Sequence, residues 1–188
     1  MFRRSEASNL NSSFIIHHSS LIIHLKTQII DLHQHLYYYI IGDDMKILVL
    51  NGPNLNMTGI RKKDVYGAQT LDDINAELRE YGEGKGADMY FYQSNHEGDI
   101  IDIIHKSMDK YDGVVINAGA YTHYSYAIRD AIECVRDYTK FVEVHMSDIH
   151  AREDFRKKSV ITDVCVKQIC GYGKDSYKMG IDLLLKIL

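Results

Sequence analysis

The sequence predicts an α/β fold, a parallel sheet of five strands with helices on both faces. Three observations predict it. Short apolar runs alternate with amphipathic segments from Met45 to Leu188. The apolar runs give way to turn-forming or polar residues, and two amphipathic segments open with Thr or Ser followed three residues later by an acidic residue. Strands that alternate with helices in this way need crossover connections, and these produce a parallel sheet covered on both sides. With 188 residues, 45% of them apolar, the chain can bury one sizeable core, and it shows no internal repeat or second domain.

The elements follow in order. Lys46–Leu50 is an apolar run ending in Asn51-Gly52-Pro53-Asn54, which reads as a buried strand and a turn. Thr70-x-x-Asp73 resembles a capping box, and Leu71, Ile74, Leu78 and Tyr81 share one helical face until Gly82, Gly84 and Gly86 stop the helix. Asp88–Gln93 is the second strand. Ser94-x-x-Glu97 then predicts a cap for a helix carrying Ile100, Ile101, Ile104 and Met108. Gly113–Asn117 is the third strand, followed by a helix from about His123 to Arg136 with Ala127, Ile128, Ala131 and Val135 inward. Lys140–Val144 and Val164–Ile169 are the fourth and fifth strands, and Ser176–Leu188 is the closing helix.

Residues 1–44 differ in kind. They hold five of the ten histidines and no glycine before Gly42. His17-His18-Ser19-Ser20 interrupts the apolar stretch a signal peptide needs, and Lys26, Asp31 and several histidines interrupt Leu21–Ile41 as a membrane span. Ile22, Leu25, Ile29, Leu32 and Leu36 fall at helical spacings. The expectation is an N-terminal extension, disordered or partly helical, or upstream sequence before a start at Met45. Its histidines lack a metal spacing on a folded scaffold and are assigned no ligand role.

Composition narrows the function. A formal charge of −4, from 26 acidic and 22 basic residues, argues against nucleic acid. Cys134, Cys165 and Cys170 are an odd number with no C-x-x-C, so they read as reduced thiols of a cytoplasmic protein without a membrane span.

In a parallel α/β fold, ligands bind beyond the carboxyl ends of the strands. There the chain places Asn51–Asn54 and a polar loop to Tyr66-Gly67, then Asn117–His123, then Glu143-Val144-His145-Met146-Ser147. Gly171-Tyr172-Gly173-Lys174 lacks the phosphate-loop spacing, and no dinucleotide fingerprint follows the first strand. A phospho-acceptor would want aspartates where this chain has asparagines. His145, Asp148 and His150 match no strong zinc pattern, so metal ranks below metal-free acid–base chemistry. His145, at the end of the fourth strand, is of a residue type that serves as acid or base. Tyr66 shares its loop with Arg61, Lys62 and Lys63. As a base at neutral pH a phenol of pKa about 10 must be acidified by roughly 2–3 units, which guanidinium groups such as Arg61 and Arg156 can do. With 14 tyrosines in the chain, position in this loop is what singles out Tyr66.

Six stretches taken together are specific: Asn51-Gly52-Pro53-Asn54-Leu55-Asn56, Gly59-Ile60-Arg61, Val65-Tyr66-Gly67, Gln93-Ser94-Asn95-His96-Glu97-Gly98, Asn117-Ala118-Gly119-Ala120-Tyr121-Thr122-His123 and Glu143-Val144-His145-Met146-Ser147, with Arg152 and Arg156. In order and spacing, residues 45–188 resemble the type II 3-dehydroquinate dehydratases. The resemblance implies a flavodoxin-like fold for residues 45–188, no counterpart for residues 1–44, and a hydro-lyase of the shikimate pathway. Its reaction is reversible dehydration of 3-dehydroquinate to 3-dehydroshikimate through an enolate, with no cofactor and no metal. It further implies that Tyr66 is the base and His145 the acid. Glu143 orients His145, Arg61 on the mobile loop keeps Tyr66 acidic, and Asn54 helps stabilise the enolate through a water. Asn117, His123, Met146, Ser147 and Arg156 bind substrate, Asp130 is lent by a neighbouring subunit, and the assembly is a homododecamer built from trimers. Lys62-Lys63, Tyr124 and Asp148 depart from the family pattern. The Asp148 departure sets up the expectation of a carboxylate close to His145. The competing function is a flavodoxin-like module that binds a small anion without turnover.

Overall fold

A computed structural model describes residues 45–60 and 69–188. Five parallel strands form one sheet: β1 (Met45–Asn51), β2 (Ala87–Gln93), β3 (Gly113–Asn117), β4 (Lys140–His145) and β5 (Lys167–Cys170), in the order β2-β1-β3-β4-β5. The helices between and after them are α1 (Leu71–Glu83), α2 (Glu97–Ser107), α3 (Tyr126–Val135) and α4 (Asp175–Ile187).

Alternation along each strand divides the apolar residues between two layers. Leu48, Leu50, Val114, Ile116 and Phe141 pack with Ile100 and Ile104 of α2 and with Ile128, Ala131, Ile132 and Val135 of α3. Ile47, Val49, Val115, Val142 and Val144 pack on the other face with Ile74 and Leu78 of α1 and with Tyr177, Ile181 and Leu184 of α4. The central strands are buried almost throughout, as a sheet covered on both faces requires. Gly180 lets α4 lie close on the sheet, since a Cβ there would stand 3.0 Å from Val144 and 3.1 Å from Val115.

The predicted capping box is present: Thr70 Oγ1 accepts from Asp73 N at 3.1 Å and Asp73 Oδ2 accepts from Thr70 N at 2.9 Å. Four local expectations are corrected. Ser94 does not cap α2. It accepts from His96 N and donates to Asp99 Oδ2, while His96 occupies the cap position without a side-chain bond. The helix expected from His123 starts at Tyr126, because Gly119–His123 forms a 3₁₀ turn and the Ser125 hydroxyl accepts from Ile128 N. Ala127 is accordingly exposed and Ile132 takes the inward position. Finally, β5 begins at Lys167 because Thr162–Val164 folds into a 3₁₀ turn whose Thr162 N donates to Ser159 Oγ.

Register determines what meets at the carboxyl edge. Asn51 of β1 lies level with Gln93 of β2 and Asn117 of β3. Between β1 and β3 the chain direction across the sheet reverses, and crevices open at such switch points. Behind the edge, the fully buried Tyr177 hydroxyl donates to Asn51 Oδ1 at 2.7 Å and accepts from Asn117 Nδ2 at 2.7 Å. One phenol therefore ties α4 to both strands that flank the crevice.

Tyr177→Phe should leave two buried amides short of a partner and lower the unfolding free energy by about 1–3 kcal/mol. Urea unfolding measures this as a lower midpoint with an unchanged slope.

Candidate active site

An open cleft of about 200 Å³ lies at the carboxyl edge of β1, β3 and β4. Its lining includes Asn54, Asn117, His123, His145, Met146, Ser147 and Arg156, so seven of the sequence-predicted residues converge there, and Arg152 joins them. Glu143 lies directly behind His145. Asp130 does not line this cleft; its side chain is 73% exposed on the outer surface of α3, with Arg129 as its ion-pair neighbour at 3.6 Å. Arg61 and Tyr66, with Lys62 and Lys63, lie outside the described residues, as does the whole of the 1–44 segment.

The first wall is the turn after β1. Gly52 N donates to Asn117 O at 2.7 Å, and a Cβ at Gly52 would stand 2.4 Å from Ala118 O, so the two loops meet backbone to backbone. This close approach requires glycine. Two residues on, Asn54 has φ of 65°, a left-handed conformation that Asn tolerates better than most residues. Its N–H donates to Asn95 Oδ1 at 2.8 Å, and Gln93 Nε2 braces Asn95 Oδ1 and Gly52 O at 3.2 Å each. Gln93 and Asn95 thus serve to hold Asn54.

The second wall is the loop after β3. Asn117 Oδ1 accepts from Gly119 N while its Nδ2 donates to Tyr177, which fixes the amide and leaves one N–H to offer elsewhere. Gly119 has φ of 58° against Pro53, so this turn also depends on a left-handed residue. His123 Nδ1 lies 2.8 Å from Lys158 O, and because a carbonyl only accepts, the proton sits on Nδ1 and Nε2 is the acceptor of the neutral ring. Burial pushes the His123 pKa down, opposed by that hydrogen bond, and the charges of His145, Arg156 and Arg152 depress it further.

The floor is β4. Glu143 and His145 are two residues apart on one strand and so point to the same face. His145 Nε2 donates to Glu143 Oε1 at 2.8 Å, leaving Nδ1 as the free ring nitrogen. Glu143 is fully buried and saturated with donors. Oε1 also accepts from Thr122 Oγ1 and from Ser159 Oγ at 2.8 Å; Oε2 accepts from Thr162 Oγ1 and from Gln168 Nε2 at 2.9 Å. Burial alone would raise this carboxyl's pKa, but the hydrogen bond and charge of His145 and the bonds from Thr122 and Thr162 outweigh it and hold the pKa down at about 2.

Sequence reasoning missed Thr122, Ser159, Thr162 and Gln168 as a carboxylate cradle, because they come from three separate segments, the loop after β3, the loop after β4 and β5. Asp148 caps a 3₁₀ turn by accepting from His150 N at 2.9 Å, and Cys170 Sγ lies 3.8 Å from it; the acid hydrogen-bonded to His145 is Glu143. His150 Nε2 in turn meets Gln168 Oε1 at 3.1 Å. Among the described residues, no group of three His, Cys, Asp or Glu is arranged to hold a metal ion, and no helix is long and apolar enough to cross a membrane.

The rim carries positive charge. Arg156 Nη1 donates to Glu153 Oε1 at 2.8 Å and its guanidinium stacks 4.7 Å over Phe155, while Arg152 Nε lies 3.6 Å from Glu153. A small polyhydroxylated carboxylate suits such a site: guanidinium groups for the carboxylate, amide and imidazole groups for hydroxyls, and a carboxylate-backed imidazole for proton transfer.

Comparison with known proteins agrees with this chemistry. Residues 45–185 match the family model described as dehydroquinase class II. The 3-dehydroquinate dehydratase of Clostridium beijerinckii is 53% identical over 141 residues, 74% of this chain and 95% of that protein. That of Caldicellulosiruptor bescii is 51% identical over 144 residues, 76% of this chain and 98% of that protein. The crystal structure of type II dehydroquinase from Butyrivibrio crossotus superposes with a TM-score of 0.74 at 51% identity, covering 76% of this chain and 99% of that one.

Because the Glu143 pKa is lowered in the fold from 4.5 to about 2, its contribution to stability is complete above about pH 4.5 and is lost as pH falls through about 2. Over that window the native state should lose on the order of 3 kcal/mol that Glu143→Gln never has. Unfolding midpoints measured from pH 5 to about pH 2 should therefore fall more steeply for the native chain than for the variant.

Proposed function

Since the chain belongs to the dehydroquinase class II family, we propose the following use of its cleft. The protein is a hydro-lyase that reversibly dehydrates 3-dehydroquinate to 3-dehydroshikimate through an enolate, a step of the shikimate pathway. The observation that carries the reading is the His145–Glu143 pair on the cleft floor beneath Arg152 and Arg156.

The Tyr66 phenolate removes a proton from the carbon next to the ketone, and the C–H electron pair moves into the enolate. Asn54, held in place by Asn95, helps stabilise that enolate through a bound water. The enolate then expels the β-hydroxyl, which takes the proton from His145 Nδ1 and leaves as water. Glu143 fixes the ring by accepting from Nε2, so Nδ1 is the nitrogen that serves as acid. Asn117, the neutral His123, Met146, Ser147 and Arg156 bind the substrate's hydroxyl and carboxylate groups. Arg61 lies three residues beyond Thr58, which lines the cleft, and its guanidinium keeps Tyr66 acidic. No cofactor takes part in these steps. The binding-module alternative lacks support, since the relatives matched over nearly their whole length are dehydratases.

The catalytic domain is residues 45–188, and residues 1–44 are an extension outside it; the family match beginning at residue 45 supports this division. Assembly is a homododecamer built from trimers, in which Asp130 enters a neighbour's cleft. Its exposure beside the exposed Tyr124 and Tyr126 supports that role. The working compartment is the cytoplasm, where the three free thiols Cys134, Cys165 and Cys170 remain reduced.

Incubated with 3-dehydroquinate, the protein should generate the ultraviolet absorbance of a conjugated enone, and Tyr66→Phe should lower that rate by at least about 100-fold, the usual scale for loss of a catalytic base. Asp130→Asn should also be impaired, and mixing the two variants should restore part of the activity after subunit exchange. A Tyr66→Phe rate within about tenfold of the original, or about 1.4 kcal/mol of barrier, contradicts the assignment of the base.

A further inference from the structure

The Glu143 cradle extends beyond the residues that touch substrate. Register pairs β4 and β5 so that Glu143 lies directly opposite Gln168, with His145 opposite Cys170. Residues directly opposite across a ladder present their side chains on the same face. Gln168 Nε2 donates to Glu143 Oε2 at 2.9 Å and to Thr162 Oγ1 at 2.7 Å. Thr162 Oγ1 itself donates to Glu143 Oε2. A carboxylate oxygen only accepts, so the Gln168 amide must face it nitrogen first, and its Oε1 is then directed to the His150 ring 3.1 Å away. The bond to His150 locks that orientation.

The two carboxylate oxygens therefore have different neighbours. Oε1 meets the imidazole of His145 together with Thr122 and Ser159, whereas Oε2 meets only Thr162 and Gln168. Negative charge is shared between the oxygens of a carboxylate, so each donor on Oε2 draws away charge that would otherwise act on His145.

We propose that Thr162 and Gln168 are positioning residues that set how firmly Glu143 holds the proton of His145, and so set the pH range over which the acid functions. The proposal rests on His145 being the acid of the dehydratase reading. Among the described residues, the other titratable groups around the pair are His123, Arg152 and Arg156 on the cleft side and Cys165, Asp163, Cys170 and its neighbour Asp148 on the side of β5, with His150 reached through Gln168. None of these donates to Oε2. Cys165 is partly buried with its thiol pushed far up by desolvation, and Cys170 is likewise raised by burial, so both stay neutral through the working range.

The sign follows directly. Loss of a donor on Oε2 leaves more charge facing His145, and the imidazolium then survives to higher pH. Dehydration needs His145 protonated, so the alkaline limb of the kcat profile moves upward. Thr162→Val removes the hydroxyl with little change of shape, Thr162→Ser keeps it, and Gln168→Met removes the amide at similar length.

The test is the pH profile of kcat with 3-dehydroquinate alongside an NMR titration of the His145 imidazole in the substrate-free protein. Thr162→Val and Gln168→Met should each move the alkaline limb and the imidazole midpoint up together by about one pH unit, a fraction of a charge-assisted hydrogen bond, with KM nearly unchanged. Thr162→Ser should leave both in place. If the Val and Met variants leave the imidazole midpoint unmoved or lower it, or if Ser shifts it as much as Val, the proposal is overturned. The imidazole titration needs no turnover. An inactive native protein would therefore strike the dehydratase reading while still deciding the wiring of Glu143, and either of the two donor-removing variants suffices if the other does not fold.

Discussion

The site depends on one buried anion. Glu143 sits on β4, between β3 and the edge strand β5, with no exposure to water, a position where an ionised carboxylate costs several kcal/mol unless its oxygens are satisfied. Five donors satisfy them, drawn from four parts of the chain: Thr122 after β3, His145 on the same strand, Ser159 and Thr162 after β4, and Gln168 on β5. The same bonds that make the charge tolerable therefore gather the loops. His145 is the only one of the five that can carry a positive charge, so the anion's electrostatic effect falls on the group that moves a proton. Structure and chemistry share one constraint.

The sheet order supplies the second part. With β1 and β3 adjacent and their following loops leading to opposite faces, a crevice opens at their carboxyl ends. Backbone contact between Gly52 and Asn117, and between Gly119 and Pro53, draws those loops together so that Asn54 and Asn117 face the same space as His145. Tyr177 fixes the crevice from behind by bonding Asn51 and Asn117 at once. Asn117 and His145 at the cleft are thus each oriented by a polar group deeper in the protein, Tyr177 and Glu143, which sets their geometry before a ligand arrives.

Much of this was legible in the residues and some was not, for identifiable reasons. The strands and the Thr70 capping box were readable because apolar alternation and capping are local, whereas the pairing of Glu143 with His145 came from the family resemblance, since the fourth strand was expected to end at Val144, one residue short of His145. Ser94 and the start of α3 misled, since Ser and His near a helix start have several local bonds to choose from, and Ser125 offered the better cap. The fifth strand was begun too early, at Val164, because the turn Thr162–Val164 is set by tertiary contacts, with Thr162 reaching Glu143. Cradle residues spread from 122 to 168 have no sequence signature, because only the fold makes them neighbours.

The account's central claim is that Glu143 and His145 form a unit whose task is to protonate the departing hydroxyl after the enolate has formed. Deuterium exchange at the carbon beside the ketone reports enolate formation, and enone absorbance reports dehydration, so measuring both in His145→Ala separates the two steps. The account predicts that dehydration falls by about 10²–10⁴-fold while exchange stays within about tenfold of the native protein. Equal loss of both rates would contradict it, and would reduce His145 to a group that merely completes the packing around Glu143.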